Sequence, residues 1–144
     1  MKWSDDLVRY ASALVGPADA PDLVADAFAT ILERGDHAWR QVRDPRGYAY
    51  GAVTNAARML GRSRGRRRER ETRWAGARSS GELAGDPTVV GALSGLSVRQ
   101  RAVIFLTYWE DLDPAAVARR LDISEGSVKR HLARGRAALR TVLA

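Results

Sequence analysis

Apolar residues recur three and four positions apart through most of this 144-residue chain, in blocks separated by glycine, proline and short polar runs. That spacing gives amphipathic helices rather than strands. The first block places Leu7, Tyr10, Ala11 and Leu14 on one face and stops at Gly16-Pro17. A second helix is predicted to start near Ala20-Pro21, with Leu23 or Val24, Ala27, Phe28 and Ile31 inward and Gly35 as its stop. Residues 36–44 show no period, and then Asp44-Pro45 has the form of an N-cap followed by proline at the first helical position. The helix it opens is predicted to run from about Pro45 to Arg62, burying Ala49, Val53, Ala56 and Leu60. No strand pattern appears anywhere.

The C-terminal third has a sharper signature. Ser97-Val98-Arg99-Gln100 reads as a capping box opening a helix that carries Val103, Ile104, Leu106 and Tyr108. Asp113-Pro114 then caps a short helix whose inner face is Val117, Ala118 and Leu121. Ser124 caps a following basic helix, with Glu125 in its first turn and Val128 and Leu132 inward. Ala118 is small enough for two helices to cross steeply, and Ile123 plugs the turn between them. The sum is a helix-turn-helix. A plain helical hairpin with a solvated arginine face is the competing reading. The small crossing residue, the plugged turn and the cationic N-terminal half together favour DNA, with Glu125, Gly126, Ser127, Lys129 and Arg130 in the turns that enter a major groove in this motif.

Charge then divides the chain. The net charge is +7, but residues 1–45 hold five basic and eight acidic groups, residues 46–78 hold ten and two, and residues 79–144 hold nine and seven. A nucleic-acid surface flanked by an acidic protein-binding or solubilising segment fits that asymmetry. Residues 76–95 are rich in glycine, serine and proline and read as a tether. The expected architecture is all-α: two small helical bundles, 1–70 and 89–144, joined by a flexible linker over 71–88, the second bundle containing the helix-turn-helix. There is no cysteine, hence no disulfide or thiolate metal site. With no bilayer-spanning apolar run and no signal-peptide form, a soluble cytoplasmic protein is expected. His37 and His131 lie in different halves, and no phosphate-cradling loop or nucleophile motif accompanies them, so neither an enzyme nor a cofactor is expected.

The run Leu121-Asp122-Ile123-Ser124-Glu125-Gly126-Ser127-Val128-Lys129-Arg130-His131-Leu132, with Leu96-Ser97-Val98-Arg99-Gln100 before it, resembles region 4 of the extracytoplasmic-function sigma factors of the sigma-70 family. Ala18-Asp19-Ala20-Pro21-Asp22-Leu23-Val24-Ala25-Asp26-Ala27-Phe28 is similar to the family's core-binding helix in region 2. Asp44 to Asn55 is similar to its promoter-melting helix. Both halves match in the family's order, so the resemblance covers nearly the whole chain. It departs at Ala25, where glutamine is usual, at Asp122 for a turn glycine, at Tyr48 for tryptophan and at Thr54 for arginine. The lead before the second helix is also short.

The resemblance implies a protein that binds core RNA polymerase, directs it to promoter DNA and starts transcription, with an anti-sigma factor as a further possible partner. It places Asp22, Leu23, Asp26 and Phe28 on the polymerase-binding surface, although Leu23 and Phe28 also suit a core. It places Tyr48, Tyr50, Asn55, Arg58 and Arg62 at the −10 region, as groups that stack on, hydrogen-bond to and neutralise opened DNA. Tyr48 and Tyr50 suit core packing equally well. In region 4, Glu125, Ser127, Lys129 and Arg130 would read the −35 element, while Arg119, Arg120, Arg134 and Arg136 would grip phosphates. Two other classes stand beside this: a helix-turn-helix regulator acting without core polymerase, and a sigma-like accessory or inhibitor-held interaction protein that starts no transcription.

Overall fold

The computed structural model describes residues 4–75 and 95–143, with 65–75 and 142–143 as backbone only. Seven helices follow one another, and no strand is present among the described residues: α1 (Ser4–Val15), α2 (Ala20–Glu33), α3 (Gly35–Arg40), α4 (Pro45–Ala75), α5 (Val98–Tyr108), α6 (Pro114–Leu121) and α7 (Glu125–Leu143). The all-α reading holds. Of the expected linker, 71–75 is the end of α4, and the remainder lies outside the described residues.

Most boundaries are set by local chemistry. Ser97 and Gln100 form the reciprocal capping box at the start of α5. Asp113 caps α6 by accepting from the Ala116 N–H at 2.8 Å, and Asp44 accepts from the Gly47 N–H at 3.0 Å. Asp19, by contrast, makes no cap at α2. Its carboxylate accepts instead from Arg64 at 2.6 Å, tying the loop before α2 to the middle of α4. Gly35 ends α2 with a φ of 84°, as its position suggested. The chain then winds at once into the single extra turn of α3, which no periodicity announced.

In the first half, Leu7, Tyr10, Ala11 and Leu14 of α1 pack against Leu23, Val24, Ala27 and Ile31 of α2 and against Ala49, Tyr50, Val53 and Ala57 of α4. The α4 stripe is therefore turned slightly from the expected one, with Tyr50 and Ala57 buried and Ala56 and Leu60 only partly covered. In the second half, Ala102, Val103 and Leu106 of α5, Val117 and Ala118 of α6, and Val128 and Leu132 of α7 make the core. Burying each leucine-sized side chain contributes on the order of 1.5–3 kcal/mol. Gly135 lets α7 approach α5, since a Cβ there would collide with Cδ1 of Ile104.

The two halves are packed together. α5 lies against α1 and α4, and α6 lies against α4. Tyr10 and Phe105 meet ring to ring at 5.3 Å, and Arg101 of α5 donates to the Leu14 carbonyl at 2.8 Å, satisfying one of the free carbonyls at the end of α1. Burial of Arg101 lowers its proton affinity.

Candidate nucleic-acid interface

The helix-turn-helix is built as its sequence suggested. Asp122 takes the left-handed conformation at φ 54°, which aspartate tolerates better than most residues, and the Ile123 N–H returns to the Ala118 carbonyl at 3.1 Å. Ser124 accepts from the Ser127 N–H at 3.1 Å. With Val128 and Leu132 fixed in the core, the opposite face of α7 presents Glu125, Lys129, Arg130, Arg134 and Arg136 to solvent. Arg130 is not a loose cation, because its Nη2 donates to the Ser127 hydroxyl at 3.0 Å. Arg136 is likewise held, donating through Nε to the Tyr108 hydroxyl, with its guanidinium 5.6 Å from the Tyr108 ring centre.

His131 lies half-buried beside this face with no hydrogen-bond partner for Nδ1. Burial depresses its proton affinity, and Arg99, Arg134 and Arg130 depress it further. Nearby, Arg58 of α4 is held below its ordinary value by burial and by the like charges of Arg99 and Arg62. The cations of the two halves thus adjoin one another.

On the first half, α4 exposes a second stripe: Tyr48, Ala52, Asn55 and Met59 follow at helical spacing and line one wall of a groove of about 720 Å³. Ala27, Ile31 and Arg34 of the α2 side and Ala116, Arg119 and Arg120 of α6 complete it. Tyr48 is half-buried, packs edge-on against Trp39 and accepts a hydrogen bond from Arg34 at 2.6 Å. Asn55 and Arg62 are exposed and Arg58 is half-buried.

Tyr50 lies elsewhere. It faces away from the groove stripe and is fully buried, its ring 4.8 Å from Tyr10 and its hydroxyl donating to Glu110 at 2.6 Å. Burial, and then the bond to Glu110, push its pKa up to about 12, so it is a neutral donor. The guanidinium of Arg120 sits 5.0 Å over the same ring. Of the two readings of these tyrosines, the core one describes Tyr50 in this arrangement, while Tyr48 keeps one side toward the groove.

On α2, Asp22 and Asp26 are exposed and one helical turn apart, so they share a face. Leu23 is buried at 5% exposure and Phe28 is half-buried against the core, which leaves the acids as the open part of that set. Sequence reasoning missed Leu32, 73% exposed on the same helix. The adjacent pair Ile31-Leu32 was the available signal, since neighbouring helical positions cannot both face inward. Met59, Arg34 and Arg46 were also missed. Among the described residues, no cluster of three or more metal-ligating side chains occurs and no helix is long and apolar enough to cross a membrane.

Residues 88–139 match the family described as sigma-70, region 4. No curated protein matches the chain. Among solved structures, the chain is similar to the sigma factor RpoE of Bartonella quintana, solved in complex with the anti-sigma factor NepR. The TM-score is 0.72 at 21% identity, covering 96% of this chain and 90% of that one. The region 4 match thus falls on the residues that build the helix-turn-helix, and the chain as a whole has a fold similar to that sigma factor's.

Proposed function

We infer that the chain is an RNA polymerase sigma factor of the extracytoplasmic-function type, working in the cytoplasm: it binds core polymerase, directs it to particular promoters and initiates transcription. The carrying observation is that the region 4 match falls on residues whose exposed side chains, Glu125, Lys129 and Arg130 above all, form a face shaped and charged for a major groove. Ser127 joins them by holding Arg130. Arg119, Arg134 and Arg136 then contact phosphates, which position without specifying sequence, and Arg120 joins them once free of Tyr50.

In the first half, residues 1–70, the groove stripe with Tyr48 and Asn55, together with Arg58 and Arg62, holds the opened −10 strand by stacking and by neutralising phosphates. Asp22 and Asp26 meet the polymerase, with Leu32 beside them as apolar contact area. The protein acts by binding and positioning and has no catalytic step of its own.

The packed arrangement of the halves supports a second partner. RpoE shares this arrangement over nearly the full chain in its complex with NepR, so an inhibitor that holds the closed form is a partner this protein would accept.

A gel-shift experiment tests the reading. A promoter duplex selected from genomic fragments should shift specifically only when the chain and core polymerase are both present. A specific shift by the chain alone as a dimer on a paired site would identify a polymerase-independent regulator instead.

A further inference from the structure

Glu110 stands where the helix-turn-helix itself has no use for an acid. It follows α5, and the chain turns there through Asp111, whose φ of 57° lies in the left-handed region. Aspartate adopts that conformation more readily than most residues, and here it redirects the chain after α5. What the turn achieves is to seat the Glu110 carboxylate in the other half of the molecule. One oxygen accepts from the Tyr50 hydroxyl at 2.6 Å and the other from Arg46 at 3.3 Å. Arg46 also pairs with Asp6 of α1 at 3.2 Å. The Glu110 side chain is only 16% exposed, so water screens these charge-assisted bonds weakly.

The same seam engages two DNA-contact candidates, the buried Tyr50 and the half-buried Arg120. Tyr50 of α4 and Arg120 of α6 are spent on each other, ring against guanidinium. The far end of the seam is built in the opposite sense. Gly61 of α4 lies against Val98 at the start of α5, with 3.7 Å left for a Cβ, and Arg58 feels the like charges of Arg99 and Arg62. Among the described residues, no ion pair joins any of these three cations to an acid. The charges of the seam are therefore attractive at Glu110 and repulsive at its other end, with the Tyr10–Phe105 and Arg101–Leu14 contacts between them.

We propose that Glu110 is the latch of a self-masking contact: seated on Arg46 and Tyr50, it holds the two halves of the free chain together and withholds Tyr50 and Arg120 from DNA until it is released. The latch rests on geometry alone, and its consequence for DNA rests on the sigma reading above.

Because the chain has no cysteine, a pair of spin labels can be placed without background at Glu33→Cys and Ala133→Cys, both exposed and outside the contact. Pulsed distance measurements on the full chain should give one narrow distribution for the otherwise wild-type protein. Glu110→Gln, Glu110→Ala and, from the other side, Arg46→Ala should each give a broader, longer one while helical circular dichroism is retained. Asp111→Asn removes the same charge one residue away and should stay narrow. Affinity for a single-stranded DNA 20-mer should rise about tenfold in Glu110→Ala, the scale of one lost charge-assisted bond, and less than twofold in Asp111→Asn. Distributions unchanged in both the Glu110 and Arg46 variants would overturn the latch. So would an opened Glu110→Ala chain whose DNA affinity rises no more than that of Asp111→Asn. If the latch variants open but the chain supports no transcription with core polymerase, the sigma reading fails and the latch stands.

Discussion

The Tyr50 hydroxyl donates to the Glu110 carboxylate at 2.6 Å across a sequence separation of 60 residues. The contact joins a helix of the first half to the turn between α5 and α6 of the second, so the relative placement of the halves is a matter of particular side chains and not only of a tether's length. Tyr50 is held at the same time from below by Tyr10 and from above by Arg120.

The layer beneath that contact sets the first stability expectation. Thr54 donates to the Tyr50 carbonyl at 2.7 Å, so the 2.6 Å bond between Thr54 and Tyr10 has the Tyr10 hydroxyl as donor. Tyr10→Phe leaves the Thr54 bond to the backbone intact and should cost about 1 kcal/mol. Thr54→Val strands the Tyr10 hydroxyl in the core and should cost more, about 1–3 kcal/mol. Urea denaturation of the two variants gives the order, and a more damaging Tyr10→Phe would contradict this account of the network.

Gly135 should be a packing glycine rather than a flexible one. Its Cβ would collide with Ile104 Cδ1, so Gly135→Ala should destabilise by about 1–3 kcal/mol through overpacking, partly offset by up to about 1 kcal/mol of helix propensity. Adding Ile104→Val removes the colliding methyl and should recover most of the loss. Thermal melts of the single and double variants show this as a non-additive pair, and additive losses would mean that the two residues do not share the space.

Arg130 and Arg134 should separate in a binding selection. Arg130, fixed by Ser127, is placed for a base edge; Arg130→Ala should relax preference at one position, worth about 1–3 kcal/mol, and Ser127→Ala should reproduce part of that effect by freeing the guanidinium. Arg134→Ala should weaken all sequences alike and lower the salt slope by about one. An unchanged preference in Arg130→Ala would remove it from the base-reading set.

His131 gives a pH dependence of definite sign. Its folded-state pKa lies below the usual value of about 6.5, so above that pH the group is neutral whether folded or unfolded and costs nothing. As pH falls below about 6.5 the unfolded chain binds the proton first, and stability declines until pH passes the lower folded value. Melting temperature should therefore drop between pH 7.5 and 5.5 more steeply in the wild type than in His131→Gln. Equal slopes would show that His131 titrates normally.

What was legible in the sequence was local. The Ser97–Gln100 box, the Asp113 and Ser124 caps and the left-handed Asp122 are decided by groups within a few residues of one another, and each stands as read. The outward face of α7 followed from them, because fixing Val128 and Leu132 inward turns Arg130 and Lys129 outward. Tyr50 was ambiguous for a physical reason. It shares the α4 stripe with Val53 and Ala57, yet an aromatic hydroxyl suits either a core with a partner or a base stack, and the partner, Glu110, lies in the other half. Thr54 is explained in the same way, since its buried position between Tyr10 and Tyr50 could not hold an unpaired arginine. α3 was illegible because one turn of Gly35–Arg40 buries nothing and so carries no period.

Run-off transcription with purified core polymerase on a library of genomic promoters tests the central claim most directly. The account expects discrete transcripts that require this chain, share an upstream sequence element and shift or weaken with Arg130→Ala, while Asp22→Ala and Asp26→Ala lower the yield without changing the start sites. Core polymerase producing the same transcripts with and without the chain would contradict it.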